Sequence, residues 1–198
     1  MTRWRLTIEF DGRPFMGWQR QDHGPSVQQA LEKAIHRMTG EVTAVHAARR
    51  TDAGVHARGQ TAHFDSDLEW DVAKLRLSLN GLLPEDIRIL GIEPVEEKFH
   101  ARYSAVAKEY HYYLHTDRIA DPFVRKYRWH IFKRLDLDLL REAAQELIGV
   151  RDFTSFANEP KRGVAARDPI RDLRRLDICP IEGGIRLEFE ADGFLYKM

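Results

Sequence analysis

The sequence has almost no cysteine: Cys179 is the only one in 198 residues. That excludes an internal disulfide framework and any metal site built from several thiolates. A long apolar run is also missing. The longest stretch free of Asp, Glu, Lys and Arg is nine residues, His23 to Leu31, against the roughly 20 a helix needs to cross a bilayer. The opening Met1-Thr2-Arg3-Trp4-Arg5 lacks the apolar core of a secretory signal. No phosphate-binding glycine loop, CxxC pair or HExxH helix occurs, so nothing calls for a cofactor or a metal. Nor is there an excess of either charge, with 31 basic and 31 acidic residues. The expectation is a cytoplasmic, disulfide-free protein without a membrane span.

What is present is the composition of a folded domain, with 43% apolar and 31% charged residues. A chain of this length makes one large domain or two small ones and buries roughly 70% of its unfolded surface. Charge balance overall hides local imbalance. Residues 118–134 carry Arg118, Arg125, Lys126, Arg128, Lys133 and Arg134 against Asp121 alone. Residues 158–175 carry Lys161, Arg162, Arg167, Arg171, Arg174 and Arg175 against three acids. Such runs are either solvated faces or a track for an RNA backbone, and both readings stay open here.

The hydrophobic pattern is that of an α+β protein. Trp4, Leu6, Ile8 and Phe10 alternate with polar residues, a half-buried strand closed by Asp11-Gly12. Ser26 and Gln29 make a capping box for a helix carried by Val27, Ala30, Leu31, Ala34, Ile35 and Met38 and stopped by Gly40. Strands are expected over 42–48 and 60–64, a helix over Val72 to Leu79 ended by Asn80-Gly81, and a strand from Ile87 to Ile92. In the second half Tyr110, Tyr112 and Leu114 alternate with His111, Tyr113 and His115, a strand with two differently lined faces. Asp136 caps a helix with Leu137, Leu140, Ala144, Leu147 and Ile148 inward, stopped by Gly149. Strands over 170–178 and 185–191 are joined at Gly183-Gly184. The hairpin and the amphipathic strands favour an antiparallel or mixed sheet. Two α/β halves, 1–105 and 106–198, with a cleft between them, are the expected organisation.

The stretch Arg49-Arg50-Thr51-Asp52-Ala53-Gly54-Val55-His56-Ala57-Arg58-Gly59 is polar, punctuated by glycine and flanked by strands, a place to hold side chains open on a rigid scaffold. Asp52 has arginines near it in sequence at 49, 50 and 58. A carboxylate among cations stays ionised well below neutral pH, which suits a nucleophile and not a general acid. The same aspartate can equally be a turn residue bonding its own backbone ahead of Gly54. His111 and His115, four apart on a strand, do not have the spacing of a metal pair on a helix.

Several of these segments resemble one known family. Arg50-Thr51-Asp52-Ala53-Gly54-Val55-His56 is similar to the signature of the tRNA pseudouridine synthase A family. So are Phe10-Asp11-Gly12 with Gly17-Trp18-Gln19, Leu79-Asn80-Gly81-Leu82-Leu83-Pro84, Phe99-His100-Ala101-Arg102 followed by Lys108-Glu109-Tyr110, and Asp152-Phe153-Thr154-Ser155-Phe156. The motifs fall in family order across nearly the whole chain. The resemblance implies two α/β halves sharing an extended, mainly antiparallel sheet, a homodimer, and isomerisation of uridine to pseudouridine at positions 38 to 40 of the tRNA anticodon stem-loop, with no metal or other cofactor. It implies that Asp52 is the nucleophile and Tyr110 the active-site tyrosine. The Tyr110 ring can stack on a flipped uracil and its hydroxyl can lie near the proton lost from C5, although an aromatic at this position would also suit an ordinary strand core. Arg50 would fill the gap left by the flipped base or hold a phosphate. Arg58 and His56 are candidate RNA-backbone contacts, His56 equally a structural loop residue. Lys161 and Arg162 are candidates for RNA contact or for a solvated loop.

Two departures from the family pattern stand out. Arg49 occupies a place where relatives carry a small residue. Asp192-Gly193-Phe194-Leu195-Tyr196-Lys197-Met198 is similar to the lead into the family's final helix, where relatives next supply a Val-Arg pair whose arginine meets the nucleophilic aspartate. The resemblance therefore implies a truncated chain, for which a tRNA-binding fragment without turnover is the alternative expectation. An aspartate hydrolase would need a second carboxylate near Asp52, and the sequence offers none.

Overall fold

The protein is described from a computed structural model covering residues 1–158, 168–196 and 198. The fold is α+β. Its backbone divides into two compact units, Met1–Ala105 and Val106–Met198.

The first unit is built on a sheet of order β2-β3-β1-β4. Strand β1 (Thr2–Phe10) is central and pairs antiparallel with β3 (Ala57–Ser66) on one side and β4 (Ile87–Val95) on the other. Its alternation has the expected outcome: Trp4, Leu6, Ile8 and Phe10 are all buried. Helices α1 (Val27–Thr39) and α2 (Val72–Leu82) contribute Leu31, Ile35, Leu75 and Leu79 to the same core. Ser26 caps α1 by accepting from the Gln29 N–H, and Gly40 ends it in a left-handed conformation, φ +77°.

Two elements differ from the sequence reading. The strand expected over 42–48 contracts to β2 (His46–Ala47). The residues before it are held by side chains, with the Thr43 hydroxyl donating to the Asp65 carbonyl and the Val45 N–H to the Glu32 carboxylate. Helix α2 runs through Asn80-Gly81 to Leu82. Asn80 donates to the Ile89 carbonyl at 2.9 Å and accepts from the Ile89 N–H at 2.8 Å, so its amide bonds β4 and does not end the helix.

The second unit holds a sheet of order β6-β5-β9-β8-β7. Strands β5 (Lys108–His115), β9 (Gly184–Ala191), β8 (Ile170–Ile181) and β7 (Gly149–Asp152) are antiparallel neighbours, and β6 (Trp129–His130) runs parallel to the end of β5. Strands β6 and β7 are too short to show a period, which is why the sequence pattern did not reveal them. Helix α3 (Leu137–Leu147), capped by Asp136, packs Ala144 with Phe153, Leu173, Leu176, Ala191 and Leu195. The β8–β9 turn is Glu182-Gly183, one residue earlier than expected, since Ile181 pairs with Gly184. Gly184 belongs to the strand for a steric reason: a Cβ there would lie 1.9 Å from the Leu114 carbonyl oxygen.

Candidate functional site

The chain between β2 and β3 carries Asp52, and three glycines determine how. The Val55 N–H donates to the Asp52 carbonyl, closing a tight turn in which Gly54 takes φ +78°. Gly12 and Gly17 let the segment after β1 lie flush against this turn. A Cβ on Gly12 would meet the Val55 carbonyl oxygen at 2.0 Å, and one on Gly17, itself at φ +96°, would meet the Thr51 carbonyl oxygen at 2.5 Å. The Trp18 N–H donates to Thr51 and the Gly54 N–H to Phe15. Trp18, buried, anchors the segment against Phe10 with ring centres 6.2 Å apart.

Upon this scaffold Asp52 is exposed, and its carboxylate has no hydrogen bond or ion pair among the described residues. The expectation that arginines close in sequence would hold it is corrected. Arg58 lies on β3 beside β1 and its Nε is 3.1 Å from Glu9 Oε1, because strand pairing, not sequence proximity, chooses its partner. Arg50 is exposed and likewise makes no ion pair with Asp52 among the described residues. His56 is built into the loop: its Nδ1 is 3.2 Å from the Gly12 nitrogen and 3.1 Å from Asp11 Oδ1. Asp11 is in turn held by Arg13.

The Phe99-His100-Ala101-Arg102 segment is tied to the same unit by residues the sequence reading did not single out. Arg3 forms a two-pronged pair with Asp65, at 2.8 Å for each bond, and donates to the carbonyls of Glu97 and Phe99. Buried His63 accepts the Ala101 N–H on Nδ1 at 3.2 Å, stacks on His46 at 5.1 Å and meets His100 edge-on at 4.7 Å. Burial, with His100, His46 and Arg3 around it, lowers its pKa to about 4. His100 is also shifted down by burial and by His46. The only sequence signal for this cluster is an abundance of histidine, nine in all.

In the second unit Tyr110 projects from β5 and meets Phe194 edge-on, with ring centres 4.8 Å apart and planes at 90°. Phe194 was legible only as part of the C-terminal motif. The opposite face of β5 and β9 is charged. Glu109, His111 and Glu188 place potential ligand atoms within 4.8 Å of one another. Cations already hold those carboxylates: Arg175 is 2.6 Å from both Glu188 and Glu109, and Arg186 pairs with Glu188. Arg175 chiefly, then Arg186, pulls Glu188 down to about 2, and His111 with Arg175 lowers Glu109. The residues fit an arginine-centred network better than a cation site. Lys161 and Arg162 lie outside the described residues.

The first unit thus sets an exposed carboxylate, without a partner among the described residues, on a glycine-fitted turn beside an antiparallel sheet. The sequence matches the family described as tRNA pseudouridine synthase over residues 6–104 and 143–198, and the chain belongs to that family. Its members are isomerases that convert uridine to pseudouridine. The chain is 53% identical over 196 residues to tRNA pseudouridine synthase A 1 of Protochlamydia amoebophila, covering 98% of this chain and 77% of that protein. Against tRNA pseudouridine synthase A of Rhodospirillum centenum identity is 42%, covering 99% and 79%. Against that of Bacillus pumilus it is 40%, covering 98% and 78%.

Proposed function

We propose that this protein isomerises uridine to pseudouridine at positions 38 to 40 of the tRNA anticodon stem-loop, working as a cytoplasmic homodimer, with Asp52 as the nucleophile. The reaction breaks the bond between N1 of uracil and C1′ of ribose, turns the base, and joins C5 to C1′. A proton leaves C5 and one is gained at N1, so the change is an isomerisation with no net reactant. The observation that carries the reading is the Asp52 carboxylate itself, exposed and without a partner among the described residues, on a turn fitted by Gly12, Gly17 and Gly54. A group free of internal bonds among the described residues is available to the substrate, and the close backbone approach at Gly12 and Gly17 supports the turn that carries it.

The other roles follow the chemistry of each side chain. Tyr110 stacks on the uracil, with Phe194 fixing its ring by edge contact, and its hydroxyl serves the proton at C5. Arg50, exposed, fills the stack vacated by the base or holds a phosphate. Arg58 and His56 contribute RNA-backbone contacts, His56 while also holding the loop through Gly12 and Asp11. The test is tritium release from tRNA labelled at C5 of uridine, for this chain and for Asp52→Ala beside it. Release by the wild type and a fall of at least about 10³-fold in the variant is expected. Release that survives in Asp52→Ala sinks the nucleophile assignment.

A further inference from the structure

The basic run after β5 folds into something more definite than a solvated charge patch. Thr116 to Leu135 is fastened to the end of the second unit's sheet by its backbone and two histidines. The Thr116 N–H donates to Gly183 and the Ile131 N–H to His115. His115 Nε2 lies 2.9 Å from the Ile119 carbonyl and His130 Nε2 2.8 Å from that of Asp117, so each ring donates there. Arg128 donates to the Glu182 carbonyl. What results is an open groove of about 420 Å³ beside the β8–β9 turn.

The lining of that groove is chemically one-sided. Arg118, Lys133 and Arg134 surround it, all exposed, and none has a hydrogen bond or ion pair among the described residues. No carboxylate lines it among those residues. Several other arginines are spent on acids, Arg3, Arg5, Arg13, Arg58 and Arg175 among them. Phe132 stands at the rim, 85% exposed, with its ring 4.2 Å from that of His130. Pro180 and Ile185 give an apolar floor. Unpaired cations around an exposed aromatic ring are what a nucleotide requires, phosphate to the cations and base to the ring.

We propose that this groove is an RNA contact of its own, taking a nucleotide whose base stacks on Phe132 and whose flanking phosphates are held by Arg118, Lys133 and Arg134. The proposal rests on the reading of this chain as an enzyme acting on tRNA. The groove contributes affinity and leaves the bond-breaking step to Asp52.

The experiment measures binding of a tRNA transcript by filter retention across a salt series, with tritium release alongside, for wild type, Arg118→Ala/Lys133→Ala/Arg134→Ala, Phe132→Ala and Phe132→Tyr. The triple variant is expected to bind about tenfold or more weakly at ~0.1 M salt, with the slope of log affinity against log salt shallower by about two to three units. Phe132→Ala is expected to lose about fivefold or more, and Phe132→Tyr to keep wild-type affinity. Release at saturating tRNA stays at the wild-type rate in all three. Because the substituted side chains are exposed, unchanged thermal midpoints are expected to show that the variants fold. Wild-type affinity and slope in the triple variant overturn the groove while leaving the enzyme reading intact. Weakened binding with an unchanged slope overturns it too, since phosphate contacts must release counterions. A wild-type chain that neither binds tRNA nor releases tritium overturns the enzyme reading, and the groove with it.

Discussion

Two side chains carry predictions that concern single groups. Tyr110→Phe keeps the ring that meets Phe194 and removes only the hydroxyl. Turnover is expected to fall roughly 10²- to 10⁴-fold with tRNA affinity unchanged, as for loss of a proton-transfer group. Equal loss of both in single-turnover and binding assays would assign Tyr110 to packing instead. His63 is a histidine whose folded pKa is depressed to about 4. Between 6.5 and 4 the unfolded chain binds a proton that the folded one refuses, so stability is full above pH 6.5 and declines as pH falls towards 4. His63→Gln removes this titration. Its stability deficit in urea unfolding is expected to be larger at pH 7.5 than at pH 5, and an equal deficit at both would show that another group titrates.

At the scale of elements, the Asp52 turn depends on backbone that approaches too closely for a side chain. Gly17→Ala places a Cβ 2.5 Å from the Thr51 carbonyl at a positive φ. It is expected to cost about 1–3 kcal/mol and to reduce turnover more than tRNA affinity, read by urea unfolding and tritium release. An unaffected turnover would mean that the turn tolerates movement. Asn80 gives a second case. Asn80→Ala leaves the Ile89 N–H and carbonyl without their partner and is expected to cost about 1–3 kcal/mol. Such a loss identifies Asn80 as the bolt between α2 and β4, where its sequence position alone suggested a helix stop.

For the molecule as a whole, the two units have unequal cores among the described residues. The first buries nineteen apolar residues in one cluster, from Trp4 to Ile92, and the second buries six, from Ala144 to Leu195. Local stability follows buried apolar contact, so the units are expected to open separately. Hydrogen exchange should protect β1 and α1 longest and release α3 and β7 first. Exchange of both units at one rate would show a single cooperative fold.

Most elements of the fold were legible in the sequence, because alternation in β1, the Ser26 and Asp136 caps and the Gly40 stop are local rules that local sequence obeys. The Arg50-to-His56 loop was legible as a motif, and with it Asp52, since the glycines that shape the turn are themselves sequence signals. Partnership was not legible. Arg58 lies six residues from Asp52 in sequence and pairs with Glu9, while Arg3 reaches Asp65 and Phe99 across the unit. The run from Arg118 to Arg134 reads equally as a solvated face or an RNA track until His115, His130 and the Gly183 turn fold it around a groove. The sequence by itself determined where most of the helices and longer strands form, because helix caps, strand periods and turn glycines act over a few residues. Only the tertiary structure decided which charges are neutralised and which are left for a ligand, because ion pairs and close backbone approaches depend on strand register and on distances between segments far apart in the chain.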